Sequence, residues 1–167
     1  MLQGVPAKAD EQLIYGLHHV GIAVMNPSAM LSFYRDLLGF EVVAEGSWDA
    51  SARNDALTGL NGSAARYFVL RRGHTYIELF AYSAPPPEPG DPDRPVCNAG
   101  ITHLCLAVDD IEKEYSRLSS AGVRFHTEPG PPGAFRATYG RDPEGNVFEL
   151  IQFNDDAHPF RFHCQET

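Results

Sequence analysis

A chain of 167 residues is sized for one ordinary domain or two small modules, and its formal charge of −9 excludes a nucleic-acid surface, where basic patches dominate. Hydrophobic residues at 43% suffice for a core, and no apolar run is long enough to cross a bilayer. Cys97, Cys105 and Cys164 have no CxxC spacing, and Met1-Leu2-Gln3-Gly4-Val5-Pro6 has neither the basic nor the apolar region of a secretory signal, so a reducing, cytoplasmic location is expected.

Residues 1–14 read as a loose lead-in. Val20, Ile22 and Val24 alternate with His19, Gly21 and Ala23, which is the period of a strand. Asn26-Pro27 supplies an N-cap and a first-turn proline, Met30, Phe33, Tyr34, Leu37 and Leu38 recur at helical spacing, and Gly39 ends the helix. Phe40-Glu41-Val42-Val43 starts a second strand. From Glu45 to Ala64 no period is sustained, which predicts a loop with a short helix around Ala52 to Leu57; Trp48 and this segment read as a packed surface loop, with a lid as the alternative. Tyr67 to Leu70 and Thr75 to Tyr82 make a hairpin at Arg72-Gly73 and complete a βαβββ module over 15–84.

The prolines of Pro85-Pro86-Pro87-Glu88-Pro89-Gly90-Asp91-Pro92 remove the N–H groups that a strand or helix interior needs, so 85–98 is a linker. The order then repeats over 99–154. Ile101 to Val108 reads as a strand, Asp109-Asp110 caps a helix carrying Ile111, Tyr115 and Leu118, and Gly122 stops it. Val123-Arg124-Phe125 begins the next strand, and a hairpin from Phe135 to Phe153 turns at Asp142-Pro143-Glu144-Gly145. Residues 155–167 are a tail. One such unit cannot bury its sheet alone, so the two copies should pack together as an α+β fold.

Each copy carries one His on its first strand and one Glu on its last: His19 and Glu78, then His103 and Glu149. His19 shares its face with Gly21 and Ala23, and His103 with Cys105 and Ala107, so the histidine faces leave open volume while the branched residues pack under the helices. Cys105 is expected as a small buried thiol. By the same parity His18 falls on the helix-facing side, and His74, His126, His158 and His163 face solvent. A carboxylate in Ile77-Glu78-Leu79-Phe80 costs several kcal/mol unless its charge is compensated. Two imidazoles and two carboxylates at corresponding places form a ligand set for a divalent metal. Pairing Arg71 with His74 sets Glu78 opposite Tyr67, and pairing Arg141 with Asn146 sets Glu149 opposite Thr138 and Ile151 opposite Arg136. Tyr67, Thr138 and Arg136 are then expected in the cavity as substrate-binding residues.

The His19-Val20-Gly21-Ile22-Ala23-Val24 opening, Phe33-Tyr34 with Leu38-Gly39-Phe40, the His103 repeat through Val108-Asp109-Asp110, and Asp142-Pro143-Glu144-Gly145-Asn146 with Glu149-Leu150 resemble the vicinal oxygen chelate superfamily over residues 15–154. That group includes glyoxalase I, methylmalonyl-CoA epimerase, extradiol dioxygenases and bleomycin- or fosfomycin-resistance proteins. The resemblance implies two tandem βαβββ modules, a mixed sheet curled around a metal-binding cavity, and one divalent ion (Ni, Co, Mn, Mg, Zn or Fe) held by His19, Glu78, His103 and Glu149. The full His-Glu-His-Glu set resembles glyoxalase I. Extradiol dioxygenases leave the position matching Glu78 unused, and where the epimerases carry an acidic base this chain reads Leu60-Asn61-Gly62-Ser63. The implied activity is that of a metal-dependent isomerase or lyase that chelates vicinal oxygens of a small-molecule substrate. Glu149 or Glu78 would move a proton through an enediolate-like intermediate, with Arg136 on an anionic tail of the substrate. An Fe(II) ring-cleaving dioxygenase and a non-catalytic binding or resistance protein are the alternatives. A homodimer is expected, and the sequence leaves open whether the modules close within one chain or across two.

Overall fold

The computed structural model describes Ile14 and residues 16–161, so the lead-in before Ile14 and the end of the tail, with His163 and Cys164, lie outside the described residues. In the first module β1 (His19–Ala23) leads to α1 (Pro27–Leu31), which continues as a π-helical stretch over Ser32–Leu37. The start is set as the sequence predicts: Pro27 occupies the first turn and the Asn26 side chain accepts from the Ala29 N–H at 3.1 Å. Gly39, at φ 73°, turns the chain into β2 (Glu41–Trp48). The helix α2 (Ala52–Thr58), capped by Ser51, falls where the short helix was expected; β3 (Ala64–Arg72) and β4 (Thr75–Ala84) complete the unit. Strand β2 runs further than its pattern indicated, because a register shift between Val42 and Ala44 breaks the alternation and leaves Val43 exposed.

The second module repeats the order with β5 (Leu104–Ala107), α3 (Ile111–Ser120), β6 (Arg124–Phe125), β7 (Phe135–Arg141) and β8 (Val147–Phe153). Asp110 caps α3 through the Lys113 N–H at 3.0 Å, and Gly122, at φ 88°, follows its end. The sheets run β1-β4-β3-β2 and β5-β8-β7-β6, with the first and last strands of each module parallel and the others antiparallel. No helix among the described residues is long and apolar enough to cross a membrane.

The modules join through their helix-side faces, not their strand edges. Met30, Phe33 and Tyr34 from the first helical segment, Leu70, Ile77 and Leu79 from its sheet, and Ile111, Leu118, Phe148 and Leu150 from the second module form one core, with Phe33 and Phe148 rings 5.5 Å apart. One curled sheet around a cavity is therefore not formed: each module keeps its own open four-stranded sheet, because burying the branched residues of both copies against each other turns the histidine faces outward.

The Asp142-Pro143-Glu144-Gly145 turn ties the modules together. The Glu144 carboxylate accepts the backbone N–H groups of Met25 at 2.9 Å and Asn26 at 2.6 Å, next to the start of α1. Buried Tyr34 donates its hydroxyl to Asp142 at 3.0 Å. Gly145, at φ 88°, lies so close to the linker that a Cβ would sit 2.3 Å from Pro92 Cα. Gly145→Ala should therefore cost more than about 1 kcal/mol and lift the linker. The expected readouts are an earlier thermal transition and faster proteolysis within 85–98; a variant as stable and resistant as the parent would remove this close contact as a constraint.

Candidate metal centre

Both His–Glu pairs form, and they form in the same way. In the first module Gly21 pairs with Glu78 and places His19, two residues earlier, on the same face; His19 Nε2 lies 3.3 Å from Glu78 Oε2. In the second, Cys105 pairs with Glu149, and His103 Nε2 lies 3.0 Å from Glu149 Oε2. The second pair is the more sheltered, its side chains 25% and 14% exposed against 42% and 24% in the first. The two pairs do not meet within one chain. Among the described residues no three His, Cys, Asp or Glu side chains gather where one ion could hold them.

The substrate-binding residues fall differently because both hairpin registers shift. The first turn is Gly73-His74, with Arg72 opposite Thr75 and Gly73 at φ 57°. Glu78 is thus opposite Val69 and Tyr67 opposite Phe80, a slip of two that keeps Tyr67 on the Glu78 face. In the second hairpin Arg141 pairs with Val147, because Asn146 is drawn into the turn: its backbone and side-chain N–H groups both donate to Asp142 at 2.9 Å. That slip of one residue reverses the faces. Thr138 is opposite Leu150, buried at 3% exposure, and donates to the Thr127 carbonyl at 2.6 Å. Arg136 is opposite Gln152 and binds the Gly130 carbonyl at 2.7 Å and the Glu112 carboxylate of α3. Neither Thr138 nor Arg136 shares the Glu149 face.

Tyr139 takes their place opposite Glu149, its ring 4.8 Å from that of His103. Counting Asn146 as a turn residue would have found it. Partial burial and then the Glu149 carboxylate hold the Tyr139 hydroxyl above its ordinary value and push the Cys105 thiol up to about 12. Cys105 is exposed, not buried as expected, because it shares the open face with Glu149. His18 also departs from expectation: it precedes the strand, stacks on Tyr76 and lies beside His19 instead of under the helix. His74 and His126 are exposed as expected, whereas His158 is half-buried, its ring 4.5 Å from Phe153.

Around the first pair the sheet face is aromatic. Trp48, Tyr67, Phe80 and Tyr82 have ring centroids about 6 Å apart, and the Trp48 N–H donates to buried Ser63 at 3.2 Å. Trp48 is therefore part of the face and no lid. A cleft of about 310 Å³ separates Val20–Ala23 from Ile101–Leu104, with Glu144 and His103 on its wall.

Residues 16–150 match the model of the Glyoxalase/Bleomycin resistance protein/Dioxygenase superfamily. The chain is 30% identical over 137 residues to uncharacterized protein YaeR of Escherichia coli strain K12, covering 81% of this chain and 95% of that one. It is 25% identical to a probable chloroplastic lactoylglutathione lyase of Arabidopsis thaliana, over 88% of this chain and 37% of that protein. Among solved structures, a glyoxalase family protein from Bacillus cereus superimposes with a TM-score of 0.77 at 24% identity, over 88% of this chain and 99% of that one.

Proposed function

This chain belongs to the glyoxalase/bleomycin resistance protein/dioxygenase superfamily, and from that premise we propose that it is a metal-dependent isomerase or lyase acting on a small molecule with adjacent oxygens. The observation that carries the reading is the duplicated pair, His19 with Glu78 and His103 with Glu149, at the same register on the open face of each module. A lone carboxylate among apolar strand residues is explained by an ion pair. Two that each meet an imidazole at equivalent places form a donor set of two nitrogens and two carboxylates, which suits Ni, Co, Mn, Mg, Zn or Fe.

One pair supplies too few donors for such an ion, and two pairs supply four. The shared core of the two modules fixes the pairs apart in one chain, so the reading requires a homodimer in which the first module of one copy faces the second module of the other. His19, Glu78, His103 and Glu149 would then hold the ion between copies. Bound there, a divalent cation supplies Lewis-acid stabilisation of negative charge developing on two substrate oxygens. Glu149 is the better placed base: its side chain is the more sheltered of the two carboxylates, and Tyr139 and Cys105 crowd it. Glu78 is the second candidate. The aromatic face of Trp48, Tyr67 and Phe80 excludes water beside the first pair and offers an apolar wall to the substrate.

The test is elemental analysis of protein purified without chelators, followed by solvent deuterium incorporation into hydroxyketones and hemithioacetals. One ion per His-Glu-His-Glu set is expected, with exchange that falls about 10²–10⁴-fold in Glu149→Gln. Protein that takes up no ion on reconstitution would leave only a binding module. Oxygen uptake with catechols and ferrous iron, without exchange, would assign ring cleavage instead.

A further inference from the structure

Each candidate ligand histidine is held from behind by the residue that precedes it. His103 Nδ1 lies 2.9 Å from Thr102 Oγ1, and His19 Nδ1 lies 2.9 Å from His18 Nδ1. Successive side chains of a strand point to opposite faces, so regular β-structure does not allow either contact. Both arise because residues 18 and 102 lie outside the strands, β1 beginning at His19 and β5 at Leu104. The contact recurs at equivalent points of the two modules with different side chains, although His19 opens β1 whereas His103 still precedes β5. His18 is itself fixed: its ring stacks on Tyr76 with centroids 4.9 Å apart and planes 7° from parallel.

We propose that His18 and Thr102 are positioning residues that hold Nδ1 of His19 and His103 and so direct each Nε2 toward its glutamate and the shared ion. The proposal rests on the metal-binding reading above. A neutral imidazole has one N–H and one lone pair, so a ring that ligates through Nε2 carries its proton on Nδ1 and needs an acceptor there. A threonine hydroxyl accepts that proton. It also donates in the opposite tautomer, when Nε2–H bonds to Glu149. His18 does the same for His19 by exchanging its own tautomer. One contact therefore serves both the metal-free and the metal-bound state, and the ring is not required to reorient on binding. In the metal-bound state His18 is a support and not a fifth ligand: its Nδ1 accepts the His19 proton, its Nε2 then carries its own, and no lone pair is left for an ion.

Cobalt(II) affinity, measured by competition with a chromophoric chelator, and the visible spectrum of the cobalt-loaded protein test this. Thr102→Val removes the hydroxyl at nearly constant volume, and His18→Phe keeps a ring for Tyr76 without the nitrogen. Each should weaken cobalt binding about 10- to 100-fold and shift the spectrum, while Thr102→Ser should restore both. Thermal melting of the metal-free variants checks that the fold is intact. Where a variant melts early, the Nδ1 protons of His19 and His103 in the zinc-loaded parent decide: a proton shifted far downfield and slow to exchange reports the hydrogen bond and supports the proposal, and one that exchanges freely with solvent overturns it. Unchanged affinity and spectrum in both folded variants would overturn the positioning role and leave the metal site standing. A parent chain that binds no cobalt would overturn both.

Discussion

Mixing two inactive variants should restore metal binding. One variant carries His19→Ala with Glu78→Ala, the other His103→Ala with Glu149→Ala, and neither alone has a complete ligand set at any site. If the site lies between copies of the chain, a mixed dimer has one site built from the two intact halves and one built from the two damaged halves. Random exchange of subunits at equal concentration should then recover about a quarter of the parent's bound ion, because half the dimers are mixed and each holds one of two sites. The measurement is ion stoichiometry after subunit exchange. The structural reason is the common core: Phe33 against Phe148 and Tyr34 against Asp142 lock the modules with their histidine faces apart, so one chain cannot close on itself without breaking buried contacts. No recovery, with dimers shown to exchange, would mean that the four side chains do not share an ion across copies. Recovery would place the ion between the Glu78 face of one copy, which carries Trp48 and Tyr67, and the Glu149 face of the other, which carries Tyr139.

The parts of this fold that were legible in the sequence are those fixed by neighbours in the chain. Asn26-Pro27 and Asp110 start helices because a side-chain oxygen three residues back satisfies an N–H, and Gly39, Gly73 and Gly122 mark the positive-φ positions that end elements. The four residues themselves were legible for another reason: duplication prints the same His and Glu twice. That each His meets the Glu of its own module came from the structure, through parallel pairing of the first and last strands. What failed depends on contacts that no local pattern encodes. The second hairpin register turns on whether Asn146 belongs to the strand or the turn, and two hydrogen bonds to Asp142 decide it. That single residue carries Thr138 and Arg136 to the helix side and Tyr139 to the site. The exposure of Cys105 and the separation of the two pairs follow from which faces the modules bury against each other, a choice made by residues over a hundred positions apart, such as Tyr34 and Asp142.

The same Asp142 should prove the most sensitive position for stability. Its carboxylate, 5% exposed as a residue, accepts from the Tyr34 hydroxyl and the Asn146 side chain through one oxygen and from the Glu144 and Asn146 backbone N–H groups through the other. Asp142→Ala leaves all four donors without their acceptor and should cost about 3–5 kcal/mol. For a chain of 167 residues that lowers the melting temperature by roughly 6–20 °C. Tyr34→Phe removes one donor and leaves the other three bonds, so about 1 kcal/mol is expected. The charge itself is held at a cost. Burial raises the Asp142 carboxyl above its ordinary 3.8 despite the four donors that oppose the shift. A carboxyl raised in the folded state contributes fully below the unfolded value, and that contribution falls as pH climbs from 3.8 through the folded value. Asp142→Asn, which cannot ionise and keeps the two backbone bonds, should therefore be at its greatest disadvantage in acid and recover ground toward neutral pH. Chemical denaturation of parent and variant at matched pH values measures that difference. A gap that widens toward neutral pH would mean that the ionised carboxylate is favoured at this joint, and that the turn clasps the modules chiefly through its negative charge.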